Sequence, residues 1–366
     1  MKKIYSLITI LFVSIGFAQI PAGYYDTATG TGYTLKTQLK TIITNGFIDK
    51  GYSGLWTTYQ TSDRDVFTGA GYENDNTIYD IYTENPTGTD ACTFIYSTSQ
   101  DSGSGGTSEC QFYNREHIIP QSIFNSANPM HNDAHFIPPT DKKVNGVRSD
   151  FPHGTVLTAT YTSLNGGKLG SSSVAGYAGT VFEPNSAFKG DIARMYFYFA
   201  TRYQTELTTW GNAYPMFNGT NDQVFTPAFL TMLLTWHIND PVSQFEITRN
   251  NAIYARQNNR NPFIDHPEYV CQIWNVACAA LSNEDFVLSD DSLKIYPNPS
   301  NGDFNIKFDN SYGNYSIEIF SLVGQKVYEK EYSNDDEISI SNLQQGMYLV
   351  KVTKDSKSII KKIVIN

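Results

Sequence analysis

Four of the six histidines, His117, His131, His135 and His153, fall within 37 consecutive residues of a 366-residue chain. Arg115, Lys142, Lys143 and Arg148 stand there beside Glu116, Asp133, Asp141 and Asp150, so the stretch is locally neutral in a chain of formal net charge −10. If an anionic substrate is handled anywhere, it is handled here. The densest part is Asn114-Arg115-Glu116-His117. On an extended strand Glu116 and His117 point to opposite faces, so one can hold a metal while the other meets the substrate. A neutral imidazole titrates near working pH and can take a proton from water. Downstream, Thr140 can cap a short helix through 141–145 that carries Asn145 on its second turn. A strand, a loop bearing His131, Asp133 and His135, and then that helix make a compact cradle. Glu116 and Asn145 are oxygen donors, and so few protein ligands favour Mg²⁺ over zinc, with Mn²⁺ or Ca²⁺ as substitutes.

These residues need a scaffold, and the composition supplies one. The hydrophobic share of 40% excludes a disordered chain, and 27 glycines without a three-residue period exclude collagen. The acidic total argues against holding nucleic acid by bulk charge. It leaves room for a local grip on phosphate, because solvent screens distant charge beyond about 8–10 Å.

Residues 1–18 read as a signal peptide, with Lys2 and Lys3 ahead of an apolar run and Ala18 at the cleavage point. Its removal takes the net charge to −12. No later segment reaches transmembrane length, and export permits disulfides. The cysteines form two near neighbours, Cys92 with Cys110 and Cys271 with Cys278, and local pairing is the simplest of three connectivities.

Residues 19–288 read as one α+β domain, mainly helical. Leu35, Leu39, Ile42 and Ile43 give an apolar stripe behind Thr34, and 189–203 is the clearest helix. Thr226-Pro227 and Asp240-Pro241 open two more, and 265–274 holds a short last one. Strands are expected at 91–96, 112–119 and 155–161. From 289 to 366 the pattern changes to period two, punctuated by Asn, Gly and Ser, with no helix, cysteine or histidine. This is a small all-β sandwich where chemistry is not expected.

The tail resembles the C-terminal sorting domain of the type IX secretion system. The likeness is carried by Lys294-Ile295-Tyr296-Pro297-Asn298-Pro299, Gly346-Met347-Tyr348-Leu349-Val350 and the closing Lys361-Lys362-Ile363-Val364-Ile365. It implies transport across the outer membrane by that machinery, and a secreted or surface-attached protein. The first domain resembles the endonuclease I family of secreted or periplasmic ββα-metal (His-Me finger) nucleases. Arg115-Glu116-His117, Pro120-Gln121-Ser122, Asp133-Ala134-His135, Pro139-Thr140-Asp141, Val144-Asn145 and Arg148-Ser149 carry that resemblance. The stretches 76–82, 190–194, 240–243 and 259–267 agree with it.

The resemblance implies Glu116 and Asn145 as metal ligands and His117 as general base. His135 is a further catalytic candidate, and Asp133 and Gln121 are expected behind the site as orienting groups. Phe136 stands where the family often has a second histidine. Arg115 and Arg148 are both candidates for the arginine that stabilises the scissile phosphate. The implied reaction is hydrolysis of DNA, and of RNA as a second substrate, to 5′-phosphate and 3′-hydroxyl ends with little sequence preference. His131 and His153 are expected on the surface, and His237 at a helix end where its charge is favourable. Arg194 and Arg260 either line a phosphate track or pair structurally, while Asp191 and Asp265 anchor helices or turns. Two rival readings stand beside the nuclease. One is a zinc hydrolase of small phosphates or esters using His117, His131, His135 and Asp133; the other is a non-catalytic glycan binder.

Overall fold

The computed structural model describes residues 20–66, 74–86, 88–278, 293–308, 314–321, 325–333, 337–354 and 357–366. The signal peptide expected at 1–18 lies outside them. The chain divides into two compact units, Met1–Ala279 and Ala280–Asn366.

The first unit begins with α1 (Gly32–Thr44) and α2 (Gly54–Ser62). Next comes a ββα element of β1 (Tyr113–Arg115), β2 (Pro139–Asp141) and α3 (Lys142–Arg148). An antiparallel sheet of β3 (Val156–Thr162), β4 (Lys168–Ser172) and β5 (Thr180–Glu183) follows in sequence order. Six helices complete the unit: α4 (Lys189–Arg202), α5 (Leu207–Trp210), α6 (Pro227–Asn239), α7 (Gln244–Gln257), α8 (Pro262–Asp265) and α9 (Tyr269–Ile273). The α+β reading of a mainly helical domain therefore holds. Among the described residues, no helix is long and apolar enough to cross a membrane.

Helix α4 is the centre of this unit. Every residue from Gly190 to Arg202 is buried, so its side chains must satisfy neighbours all round. Ile192, Phe197 and Phe199 fill the core, whereas Tyr196 and Tyr198 bury their rings and send hydroxyls to polar partners. Helices α1, α6 and α8 pack around it. Gly190 is required where Asp240 crosses the helix start, since a Cβ there would meet the Asp240 carbonyl oxygen at 2.2 Å.

Several boundaries differ from expectation because side chains found better partners. Asp240-Pro241 does not open a helix. The Asp240 Oδ2 instead accepts from Gly190 N at 2.7 Å, at the start of α4, and α7 begins after Ser243 with a reciprocal Ser243–Glu246 capping box. Thr31 rather than Thr34 precedes α1, where Leu35, Leu39 and Ile43 are buried. The region 265–274 holds the end of α8 and then α9. Residues 91–96 form irregular backbone rather than a strand, held by bonds from Ile78 N to Phe94 O, 2.8 Å, and from Ala91 N to Thr83 O, 3.1 Å, and Cys92 is tied to Cys110. The second disulfide joins Cys271 to Cys278, so both local pairings hold.

His237 sits in the last turn of α6, but burial pushes its pKa down to about 4, with Arg194 acting in the same direction. It is neutral there: Nδ1 takes an Arg194 N–H at 3.4 Å and Nε2 faces the Pro267 carbonyl at 3.1 Å. The helix-dipole role expected for a charged His237 is therefore replaced by a buried polar contact. Because the folded pKa lies below the unfolded one, the unfolded chain binds the proton first as pH falls. Wild-type stability from this residue is complete above the ordinary histidine value and declines toward pH 4, by up to about 1.4 kcal/mol per pH unit. The stability gap between wild type and His237→Gln should accordingly narrow from pH 7 to pH 5 in urea titrations. A gap constant with pH would refute this assignment.

The second unit contains β6 (Leu293–Tyr296), β7 (Phe304–Phe308), β8 (Asn314–Ser321), β9 (Lys326–Ser333), β10 (Glu337–Ile340), β11 (Gly346–Lys354) and β12 (Lys357–Ile365). They form two antiparallel sheets, ordered β10-β7-β6 and β12-β11-β8-β9. Leu293, Ile306 and Ile340 of the first sheet share one core with Ile317, Ile319, Val350, Val352 and Ile363 of the second. This is the expected sandwich. The period-two reading missed β9 and β10 as separate strands, since β9 is mostly exposed and charged on both faces.

Candidate active site

The hydrogen bonding of β1 and β2 extends beyond the three paired residues of each strand. Asn114 faces Thr140, and the same register continues through Lys142 N to Phe112 O, Glu116 N to Pro138 O and Ile118 N to Phe136 O, at 2.9, 3.0 and 3.2 Å. The extended segment thus spans nearly the expected 112–119. Asn114 and Glu116, two apart, share one side of it. Asp141 ends β2 and caps α3, its Oδ1 accepting from Lys143 N and Val144 N at 2.7 and 3.0 Å. The expected cap was Thr140, but Asp141 is one residue nearer the helix and brings two acceptor oxygens. Its Oδ2 takes the Cys110 N–H at 2.7 Å, so a disulfide-bonded loop steadies the helix start.

Helix α3 then meets the strand in two contacts one turn apart. Asn145 Nδ2 donates to Asn114 Oδ1 at 2.8 Å, and Arg148 Nη1 donates to Glu116 Oε1 at 2.7 Å. Because Asn145 donates through its nitrogen, its Oδ1 stays free to accept. Glu116 takes both of its hydrogen bonds, from Tyr82 and Arg148, on Oε1. Its Oε2 accepts none among the described residues. Burial pushes the Glu116 carboxyl up to about 7, against the pull of Arg148 and the Tyr82 hydroxyl.

Arg148 is not available to a substrate phosphate. All five of its N–H donors are used: Nε to Phe151 O, Nη1 to Glu116 and His117 O, and Nη2 to Ile118 O and Tyr214. It is a buried brace, 1% exposed, and of the two arginine candidates Arg115 remains. His153, expected on the surface, is fully buried, and it completes a closed ring with this brace. Arg148 donates to Tyr214, Tyr214 meets Tyr196 at 3.1 Å, Tyr196 meets His153 Nδ1 at 2.9 Å, His153 Nε2 meets Tyr82 at 2.9 Å, and Tyr82 donates to Glu116. The donors run in one direction with His153 neutral, its proton on Nε2, and the Tyr196 proton on His153 Nδ1 rather than on the Ile118 carbonyl 3.1 Å away. Burial, reinforced by Arg148, keeps its pKa well below the usual histidine value. The sequence reading missed Tyr82, Tyr196, Tyr214 and Asn114. Tyr82 lies in the family-like stretch 76–82, while the helical spacing around Tyr196 signals core packing alone.

His117 is 6% exposed and lies among the rings of Tyr52, Phe124, His131 and Phe136. Burial, then the neighbouring His131, pushes its pKa down to about 3, so the ring is neutral at working pH but a weaker base than the near-neutral imidazole the sequence suggests. Its Nε2 is buried and has no hydrogen-bond partner among the described residues. His131, expected on the surface, is half-buried.

Three other candidates lie elsewhere. Asp133 accepts from Tyr198, Tyr203 and Gln257 at 2.7, 2.8 and 3.0 Å and pairs with Arg202, chiefly tying the central helix to α7. His135 is 1% exposed, with Nε2 at 3.0 Å from Asn259 O, and burial lowers its pKa to about 4. The structure does not bring it to Glu116 and His117. Gln121 is exposed, and its Oε1 accepts from Ser126 Oγ at 3.2 Å, closing a turn. Arg194 and Arg260 are likewise committed, to Glu246 with Asp191 and to Asp265, so neither is a free phosphate contact.

Residues 31–268 match the Endonuclease I family, across this whole arrangement. The chain belongs to that family. An extracellular ribonuclease of Bacillus amyloliquefaciens is 34% identical over 69% of this chain and 78% of its own length. A second, from Bacillus subtilis (strain 168), is 32% identical over the same shares. The endonuclease-1 of Buchnera aphidicola subsp. Baizongia pistaciae is 26% identical over 36% of this chain and 45% of its own. Residues 294–366 match a secretion system C-terminal sorting domain. This member of the Endonuclease I family is therefore a secreted nuclease, extracellular or attached to the cell surface, and the glycan-binder reading falls.

Proposed function

We propose that this protein is a divalent-metal-dependent endonuclease of DNA and RNA, largely indifferent to sequence, with His117 as general base and Glu116 and Asn145 as the metal ligands. One observation carries the reading. Glu116 Oε2 and Asn145 Oδ1 are the oxygens left free where α3 meets the strand, while the adjacent His117 keeps an orphaned ring nitrogen. Two neutral-to-acidic oxygen donors suit Mg²⁺, Mn²⁺ or Ca²⁺. Among the described residues no three His, Cys, Asp or Glu side chains converge as a cage. A Mg²⁺ ion held there supplies charge neutralisation to the phosphate and to the leaving 3′-oxygen.

The chain's own groups do the rest. Nε2 of His117 takes a proton from water as its oxygen bonds to phosphorus, and the bond to the 3′-oxygen breaks as that oxygen takes a proton from a second water, leaving 5′-phosphate and 3′-hydroxyl ends. Arg148 and the tyrosine ring hold Glu116 in place, and Arg115 donates to the phosphate. A grip on phosphate and sugar explains weak sequence preference and predicts binding that falls with salt. The relatives named extracellular ribonuclease support RNA as a substrate, while the name endonuclease-1 makes no choice between RNA and DNA. The zinc reading needs Asp133 and His135 as ligands beside His117, yet Asp133 is taken up by Tyr198, Tyr203 and Gln257 and His135 Nε2 by the Asn259 carbonyl, which leaves only His135 Nδ1 without a partner among the described residues. We place export within the same reading: a signal peptide at 1–18, a catalytic domain at 19–288 and a sorting domain at 289–366.

The test is cleavage of supercoiled plasmid and of labelled RNA by the disulfide-intact protein. Nicking is expected with Mg²⁺ and not with EDTA, and the products should ligate without kinase treatment. Cleavage indifferent to EDTA, or 3′-phosphate ends, would overturn the proposal.

A further inference from the structure

Beside the site Trp56, Arg115, Tyr52 and His131 follow one another face to face, with the His117 ring packed against both Tyr52 and His131. The Arg115 guanidinium lies 4.3 Å from the Trp56 ring centre and 3.5 Å from that of Tyr52. His131 stacks against Tyr52 at 4.0 Å, and the His117 ring lies 5.4 Å from His131, parallel to within 8°. The Tyr52 carbonyl also accepts from Arg115 Nη1 at 3.0 Å. With Arg115 and His131 both stacked on its ring, Tyr52 is poorly placed to stack on a nucleobase and well placed to space its two neighbours. Arg148, Arg194, Arg202, Arg249 and Arg260 are each paired with a carboxylate. Arg115 and His131 have no carboxylate partner among the described residues, and both are partly open to solvent. In so acidic a chain, an un-neutralised guanidinium and an imidazole N–H donor beside the candidate base suit an anion from outside.

We propose that Arg115 and His131 form a phosphate subsite for a phosphodiester of the bound strand, with Tyr52 as the positioning residue that sets their spacing. This rests on the reading of His117, Glu116 and Asn145 as the reaction centre. Phosphate contacts position a strand without reading its sequence, and each one makes binding more sensitive to salt.

The experiment uses the disulfide-intact protein and measures two quantities against log[NaCl]: the anisotropy-derived Kd of a labelled 20-base-pair duplex in EDTA, and kcat/KM for nicking in Mg²⁺. Tyr52→Leu is expected to raise Kd and KM more than it lowers kcat, and to flatten the salt slope by about 0.9 for each phosphate that is no longer neutralised. Tyr52→Phe, which keeps the ring, should retain the wild-type slope. Arg115→Gln should flatten the slope in the wild type and add little in the Tyr52→Leu background. An unchanged slope in Tyr52→Leu, or equal losses in Tyr52→Phe, overturns the positioning role. If Tyr52→Leu proves unfolded by its Tm, Arg115→Gln alone decides, and an unchanged slope there overturns the subsite. If instead the wild type cleaves no nucleic acid, the reaction-centre reading fails, while the EDTA binding slopes still judge the subsite.

Discussion

His117→Ala is expected to lower kcat for plasmid nicking by about 10²–10⁴-fold, the usual contribution of a positioned general base. The side chain makes few polar contacts that its removal would break. Its Nε2 is unpartnered, and its neighbours are rings that can close around a smaller residue. Folding should therefore survive, and duplex binding at fixed salt should change little if the proposed phosphate subsite of Arg115 and His131 carries the grip. Single-turnover nicking, alongside anisotropy binding, separates these effects. Added imidazole should restore part of the rate, as a free base can enter the space left behind. Activity within about twofold of wild type would remove His117 from the mechanism.

Arg148→Met should be the most damaging change to stability near the site. It removes one partner of a buried ion pair, a change that costs about 3–5 kcal/mol when the remaining charge has nowhere to go. Glu116 would keep only Tyr82, the carbonyls of His117 and Phe151 would lose their donor, and that of Ile118 would have only the Tyr196 hydroxyl beside it. Arg148→Lys should recover little, since one ammonium cannot reach acceptors arranged for a planar guanidinium. Urea midpoints measure the stability, and nicking rates measure how much activity depends on a held Glu116. The two arginines are thereby distinguished. Were Arg148 the phosphate contact, Arg148→Met would lower the rate and flatten the salt slope with the urea midpoint unmoved.

The charge balance makes a related point. Buried arginines in this domain serve the protein's own carboxylates, as Arg194 does with Glu246 and Arg249 with Asp63. An acidic total is thus compatible with nuclease function, since Arg115 at the site keeps no carboxylate partner among the described residues.

Local chemistry was written in the sequence by itself. The period-two tail, the buried stripe of α1, the two short-range disulfides and the helix at 189–202 are consequences of neighbours a few residues apart. So is the order strand, loop, helix that sets Glu116, His117 and Asn145 into one element, together with the family likeness their spacing carries. What only the tertiary structure decided is which polar groups were already spoken for. Arg115 and Arg148 are equivalent as sequence, but in the fold Arg148 gives all five donors to Glu116, Tyr214 and three carbonyls. His153 has the spacing of a surface residue, yet Tyr82 and Tyr196 close on both its nitrogens, from 71 residues before it and 43 after. Asp133 and His135 stand in the motif beside His117, yet partners from α4 and near the end of α7 draw them into the core. Hydrogen bonds between residues so distant in the chain leave no period or spacing behind. Burial favours each of them, because a polar group left unmet in a dry interior is costly and is kept where, as proposed for His117, it has something else to do.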